Sequence, residues 1–213
     1  MKKLLLLFLL VGLTHVSFSQ IQFNPQFGLS FLNLSDDSQT PKGTNLTVDA
    51  DFSADVGFMA GFDARFGNRF NFQPGLFFAR NVTITKFKGD TLIIPEEYEN
   101  KIVRSSLKIK ALASYNLVHK DGFKLRLSAG PTYDFILSVD NNKDEIDFDE
   151  SDFKGGSFNL DAGLGVDIWF LTAEMGYSYG LTEAFENNSE INSNSKYNTF
   201  YLTVGVVFGK GMK

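Results

Sequence analysis
Tyr197-Asn-Thr-Phe-Tyr-Leu-Thr-Val-Gly-Val-Val-Phe208 is the stretch that decides the fold. Phe200, Leu202, Val204, Val206 and Phe208 fall on one face; Tyr201, Thr203 and Gly205 fall on the other. Side chains of a strand alternate with a period of two, so this is a strand with one oily and one polar face, expected to run unbroken to Phe208. The segments before it repeat the pattern. Leu171 to Gly180 sets Leu171, Ala173, Met175, Tyr177 and Tyr179 against Thr172, Glu174, Gly176 and Ser178. Phe158 to Ile168 sets Phe158, Leu160, Ala162, Leu164, Val166 and Ile168 against Asn159, Asp161, Gly163, Gly165 and Asp167. Phe123 to Val139 sets Phe123, Leu125, Leu127, Ala129, Tyr133, Phe135, Leu137 and Val139 against Lys124, Arg126, Ser128, Thr132 and Asp134.

The first half of the chain fits the same template. Lys101 to Val118, Phe70 to Phe87 and Asp55 to Phe66 alternate, and Phe23 to Leu34 does so less regularly. Arg80 interrupts the oily face of its segment, at a height where a headgroup-level charge costs little. These segments predict an all-β chain: an eight-stranded antiparallel up-and-down transmembrane β-barrel. Gly67-Asn68-Arg69, Lys120-Asp121-Gly122 and the region of Trp169-Phe170 read as tight turns. Ser35 to Ala54, Lys88 to Asn100, Asp140 to Gly156 and Leu181 to Lys196 read as long polar loops. Strict alternation of short and long connections is the asymmetry of periplasmic turns and extracellular loops.

Alternation does not say which face is inside. A soluble lipocalin-like barrel has as many strands with its apolar face inward. The polar face here is rich in Gly and carries both charge signs, which suits a crowded lumen. Aromatic residues gather at strand ends, as in interfacial girdles. Both favour the membrane barrel.

Met1-Lys2-Lys3, the apolar run Leu4 to Leu13 and the small residues Ser17 and Ser19 form the pattern of a cleaved signal peptide. The run is short of the roughly 20 residues of a membrane-spanning helix. The expected domains are a signal peptide at 1–19 and an outer-membrane barrel at 20–213, placed in the outer membrane of a Gram-negative cell.

Removing Lys2 and Lys3 leaves 18 of the 20 basic residues against 25 acidic ones, a net charge near −7. That balance argues against nucleic acid. The absence of Cys excludes disulfides, thiol catalysis and thiolate metal sites. The 23 Phe and 19 Gly sit beside a nearly neutral mean hydropathy, as expected when only alternate residues touch lipid.

The inward positions bring Asp55, Asp63, Asp134, Asp161, Asp167 and Glu174 to face Arg65, Arg104, Lys108, Lys110, Lys124 and Arg126. Eight strands leave an interior just wide enough for side chains, and opposite charges in that space must pair. An ion-pair network filling the lumen is therefore expected, with an ion or solute path as the alternative. Arg104, Lys108 and Lys110, with Lys124 and Arg126 on the next strand, form a local basic excess that suits an anion or lipopolysaccharide.

Asp140, Asp144, Glu145, Asp147, Asp149, Glu150 and Asp152 make one loop acidic. Asp147, Asp149 and Ser151 have the spacing of calcium ligands, but Asp152 stands where such a loop needs Gly, so a solvated loop is expected. Past the expected cleavage point the chain has a single His, His119, placed in a turn. No base is at hand to activate a loop Ser, so no catalytic residues, metal or cofactor are expected.

The segment Asn159-Leu-Asp-Ala-Gly-Leu-Gly-Val-Asp167, followed by Glu174-Met-Gly-Tyr-Ser-Tyr-Gly-Leu181, resembles the PorT-like small outer-membrane β-barrel proteins. The likeness covers essentially the whole chain after residue 19. It implies a barrel with no catalytic residues and an association with protein secretion across the outer membrane. The expected function is a non-catalytic outer-membrane barrel acting through its extracellular loops as a structural, adhesive, or assembly- or secretion-associated component. A narrow porin-like channel for small solutes is the alternative. The expected partners are outer-membrane lipid, lipopolysaccharide and the barrel-assembly machinery.

Overall fold
The computed structural model describes residues 21–34, 40–41, 49–88, 98–141, 155–182, 191–192 and 196–209. Eight long antiparallel strands follow one another around a closed sheet: β1 Ile21–Leu34, β2 Asp49–Gly67, β3 Phe70–Lys88, β4 Tyr98–Lys120, β5 Phe123–Asn141, β6 Gly156–Ile168, β7 Leu171–Gly180 and β8 Tyr197–Val206. Each strand pairs with its neighbour in sequence, and β8 closes on β1 from Gly205 opposite Gln26 to Tyr197 opposite Leu34. Closure removes the unpaired edges that lipid does not tolerate. The expected signal peptide and the acidic residues 144–152 lie outside the described residues.

The register fixes the geometry. Starting at Phe70 and stepping to each in-register neighbour, the path runs through Tyr115, Leu127, Leu164, Met175, Leu202, Leu29 and Phe58. It returns to β3 at Arg80, ten residues above its start. A shear of ten over eight strands, with a rise of about 3.3 Å per residue and about 4.8 Å between strands, tilts the strands by about 40° and sets a backbone radius of about 8 Å. The stretch from Phe70 to Arg80 then climbs about 25 Å, the height of the apolar band of an outer-membrane barrel. At its upper end the row Arg80, Ser105 and Ser138 interrupts the apolar outer face.

Burial follows the alternation. In β7 it alternates without exception, with Thr172, Glu174, Gly176 and Ser178 buried and Leu171, Ala173, Met175, Tyr177 and Tyr179 exposed. The polar residues line the inside and the large apolar ones cover the outside, the reverse of a lipocalin-like barrel. Trp169, at 73 % exposure, projects beside Gly122 in the neighbouring turn, where Gly122 holds a φ of 77°. The Trp169 N–H donates to the Gly122 carbonyl at 2.9 Å, tying two turns together.

Bulges correct several expectations. In β5, Ser105 pairs with Ser138 and Ser106 with Ile136, so Leu137 is an extra residue. Beyond it the faces exchange, and Val139, expected outward, is in register with inward-facing Arg104. In β2, Asp55 pairs with Val82 while Phe58 pairs with Arg80. Asp55, expected inward, is thus level with an outward position, and its carboxylate accepts the Val56 N–H at 2.7 Å. The last strand is not continuous to Phe208. It breaks at Val207, whose N–H donates to the Phe170 carbonyl at 2.7 Å, before Phe208–Gly209 rejoins β1. Strand also replaces part of three expected loops, at Asp49–Ala54, Tyr98–Asn100 and Asp140–Asn141. Thr40–Pro41, from the first of these loops, and Ile191–Asn192, from the expected loop Leu181 to Lys196, pair with each other.

Candidate functional site
The lumen holds the chemistry of this molecule. Near the turns, Arg126 projects inward from β5 toward β6 and β7. Its Nη1 donates to both oxygens of Asp167 at 3.0 Å, and its Nη2 donates to Glu174 Oε2 at 3.0 Å. Arg65, from β2, donates to Asp167 Oδ2 at 3.0 Å and to Thr172 Oγ1 at 3.4 Å, and its Nε lies 3.4 Å from Asp63. Thr172 donates in turn to Asp167 Oδ1 at 2.6 Å. Asp63 accepts from the side-chain amides of Asn24, Gln26 and Gln73. Ser114 and Thr203 donate to Gln73 and Gln26, so amides and hydroxyls from five strands complete the lower network.

An apolar layer lies above it. Met59, Phe77, Ala79 and Tyr201 form one buried cluster. Lys110 Nζ sits 4.6 Å from the Phe77 ring centre, 4.1 Å from that of Tyr201, and 4.0 Å from Glu174 Oε1. Its charge is thus shared between two ring faces and one carboxylate. Glycines make room for these bulky groups. A Cβ on Gly176 would lie 2.3 Å from Tyr201 Cζ, on Gly61 2.7 Å from Phe77 Cγ, and on Gly165 2.4 Å from Arg126 Nη2.

The upper lumen holds a looser set. Lys108 Nζ lies 3.2 Å from Asp134 Oδ1 and 3.8 Å from Asp161 Oδ1, and donates to Ser178 at 3.0 Å. Thr132 donates to Asp161 at 2.9 Å. Arg104 lies 3.5 Å from Asp134 and over the Tyr197 ring at 4.0 Å.

Of the residues singled out from sequence, Asp63, Arg65, Lys110, Arg126, Asp167 and Glu174 meet in the lower group. Arg104, Lys108, Asp134 and Asp161 meet in the upper one. Lys124 is half-buried at the turn-side mouth, in register with Asp167. The five bases expected as one cluster are therefore split by the apolar layer. Phe77, Met59, Leu112 and Leu32 are inward-facing apolar residues that alternation did not flag. His119 lies at the turn end of β4, its Nδ1 3.4 Å from the Asn116 amide. Partial burial, then Lys124 and Arg69, hold its imidazole below the usual His pKa.

A closed antiparallel barrel with an apolar belt outside and paired charges inside is an integral outer-membrane barrel. The chain belongs to the outer membrane protein beta-barrel domain family, whose model matches residues 17–186. No curated protein matches it. Among solved structures it is similar to the outer membrane protein OprG from Pseudomonas aeruginosa, at 15% identity over 88% of this chain and 95% of that one, with a TM-score of 0.55. It is also similar to Neisserial surface protein A, at 16% identity over 87% and 95%, with a TM-score of 0.45. Ail of Yersinia pestis, solved with the heparin analogue sucrose octasulfate, matches at 13% identity over 89% and 99%, with a TM-score of 0.39. The likeness to OprG is one of fold.

Proposed function
We infer that this protein is a non-catalytic outer-membrane barrel whose lumen is filled for stability and whose activity resides on its loop side. The observation that carries this reading is Arg126. It is 1 % exposed and is locked to Asp167 on the neighbouring strand and to Glu174 on the strand after it, while Arg65 crosses the lumen from β2 to the same Asp167. Side chains so held fill much of the section of a barrel of about 8 Å backbone radius, which supports a plugged lumen. Strands β2, β3 and β4 continue past the Arg80 row, with pairing up to Asp49 opposite Lys88 and Phe87 opposite Tyr98. A raised wall of this kind suits a structural, adhesive or assembly component. The resemblance to PorT-like barrels favours an assembly- or secretion-associated form of that role.

The test is to replace connections 89–97 and 142–154 by short Gly-containing turns. The account expects a barrel that still inserts and still migrates faster on an unboiled gel, but that loses the proteins cross-linked to it on intact cells. Unchanged cross-linking would contradict it.

A further inference from the structure
The outer wall carries a depression that the lumen does not explain. Ala113, Ala129 and Ala162 are in register on β4, β5 and β6 and all face outward. They form the floor of an apolar groove of about 620 Å³ in the lipid-facing surface. Tyr115, Leu127 and Leu164, the next row toward the turns, form its lower wall, while Tyr177 and Phe200 close its upper end. Behind the floor the wall is thin: Gly163 and Gly176 are in register and leave the inside to the Tyr201 ring.

The groove has a direction. A register row climbs about 3 Å per strand at this shear and tilt. The floor therefore rises from about 8 Å above Phe70 at Ala113 to about 14 Å at Ala162. Its foot lies at the turn-side rim, the inner leaflet of the outer membrane. There Arg69 stands over the Tyr115 ring at 5.6 Å. The turn that carries it is fixed to β4. The Asn116 N–H donates to the Arg69 carbonyl at 2.8 Å, and the Asn116 amide to the Asn68 carbonyl at 2.6 Å. Among the described residues Arg69 makes no ion pair. A cation at headgroup height and an apolar trough rising from it into the hydrocarbon match one ligand in charge and in shape.

We propose that this groove is a specific site for one inner-leaflet glycerophospholipid, with its phosphate at Arg69 and an acyl chain along the alanine floor. Guanidinium suits phosphate because its planar fork can donate two parallel hydrogen bonds. A chain in the trough fills space that the neighbouring side chains leave open, where hydrocarbon packs better than against a flat wall. The site goes beyond the proposed role at the loop side and does not depend on it.

The test is native mass spectrometry of the protein extracted from outer membranes, with dioleoyl phosphatidylglycerol, dioleoylglycerol and lipid A as probes. The wild type should retain one phosphatidylglycerol in preference to the other two. Ala129→Phe and Ala162→Phe fill the trough and should each weaken retention about tenfold, as should Arg69→Gln for the phosphate-bearing probe. Ala173→Phe, outward but outside the groove, should leave it unchanged. The gel shift of the unboiled protein verifies that each variant is a closed barrel, and two separate trough variants guard against one that does not fold. Equal retention by wild type and both trough variants would overturn the proposal. So would equal binding of dioleoylglycerol, preference for lipid A, or an Ala173→Phe effect as large as that of Ala129→Phe.

Discussion

The two halves of the lumen hold similar charges and use them differently. Below the Phe77–Tyr201 layer, both oxygens of Asp63 and of Asp167 accept hydrogen bonds, and Arg126 ties two acids at 3.0 Å. Above it, Arg104 touches Asp134 only at 3.5 Å, and among the described residues none of its three guanidinium nitrogens makes a hydrogen bond, whereas Arg65 and Arg126 below leave only Nε without one. Charge-assisted hydrogen bonds near 3.0 Å rigidify a polar interior, whereas a guanidinium held only by longer contacts does so less. The lower half is thus the lock of the barrel. The upper half holds its charges at longer distances, 3.2 to 3.8 Å.

The largest difference should come from Arg126→Ala. It leaves Glu174 with only Lys110 at 4.0 Å and Asp167 with Arg65 alone of its two cations, and breaking one partner of a buried pair costs about 3–5 kcal/mol. Urea unfolding of the barrel in detergent micelles measures it. Adding Glu174→Ala should recover about 0.5–3 kcal/mol, the usual coupling between residues in contact. Strict additivity of the two changes would break the picture of a lock.

A smaller loss, about 1–3 kcal/mol, is expected for Gly176→Val, because the new side chain overlaps the Tyr201 ring in a packed interior. The same assay reads it, and Tyr201→Ala in that background should restore part of the loss. Failure of that rescue would remove the apolar layer from the account.

Arg104→Ala should have the smallest effect. It removes a contact with the Tyr197 ring worth roughly 1–2 kcal/mol, while Asp134 keeps Lys108 at 3.2 Å. A loss equal to that of Arg126→Ala would erase the contrast between the two halves.

The faces of the strands were legible because polar and apolar residues alternate over many positions, as from Phe158 to Ile168. Where both faces are apolar, alternation carries no signal. Leu76-Phe77-Phe78-Ala79 is such a run, and the inward position of Phe77 follows from the register rather than from the pattern. Bulges were equally silent. The extra residue at Leu137 exchanges the faces beyond it, and Val139 gives no local hint of the change. The charged residues of the lumen were readable as a set, since each sits on the polar side of its own strand. Their partners were not. Arg65 meets Asp167 from 102 positions away, and only the shear of the closed barrel brings those two heights together. The alanine groove has the same origin: three residues from three strands line up only once the register is known.

The central claim is that the lumen is closed, and single-channel recording in planar bilayers tests it most directly. The account predicts no steady conductance for the wild-type barrel, with current appearing only when Arg126 and Tyr201 are both replaced by Ala. A steady anion-selective current through the wild type, abolished by Arg126→Ala without loss of stability, would show instead that the basic residues line a path.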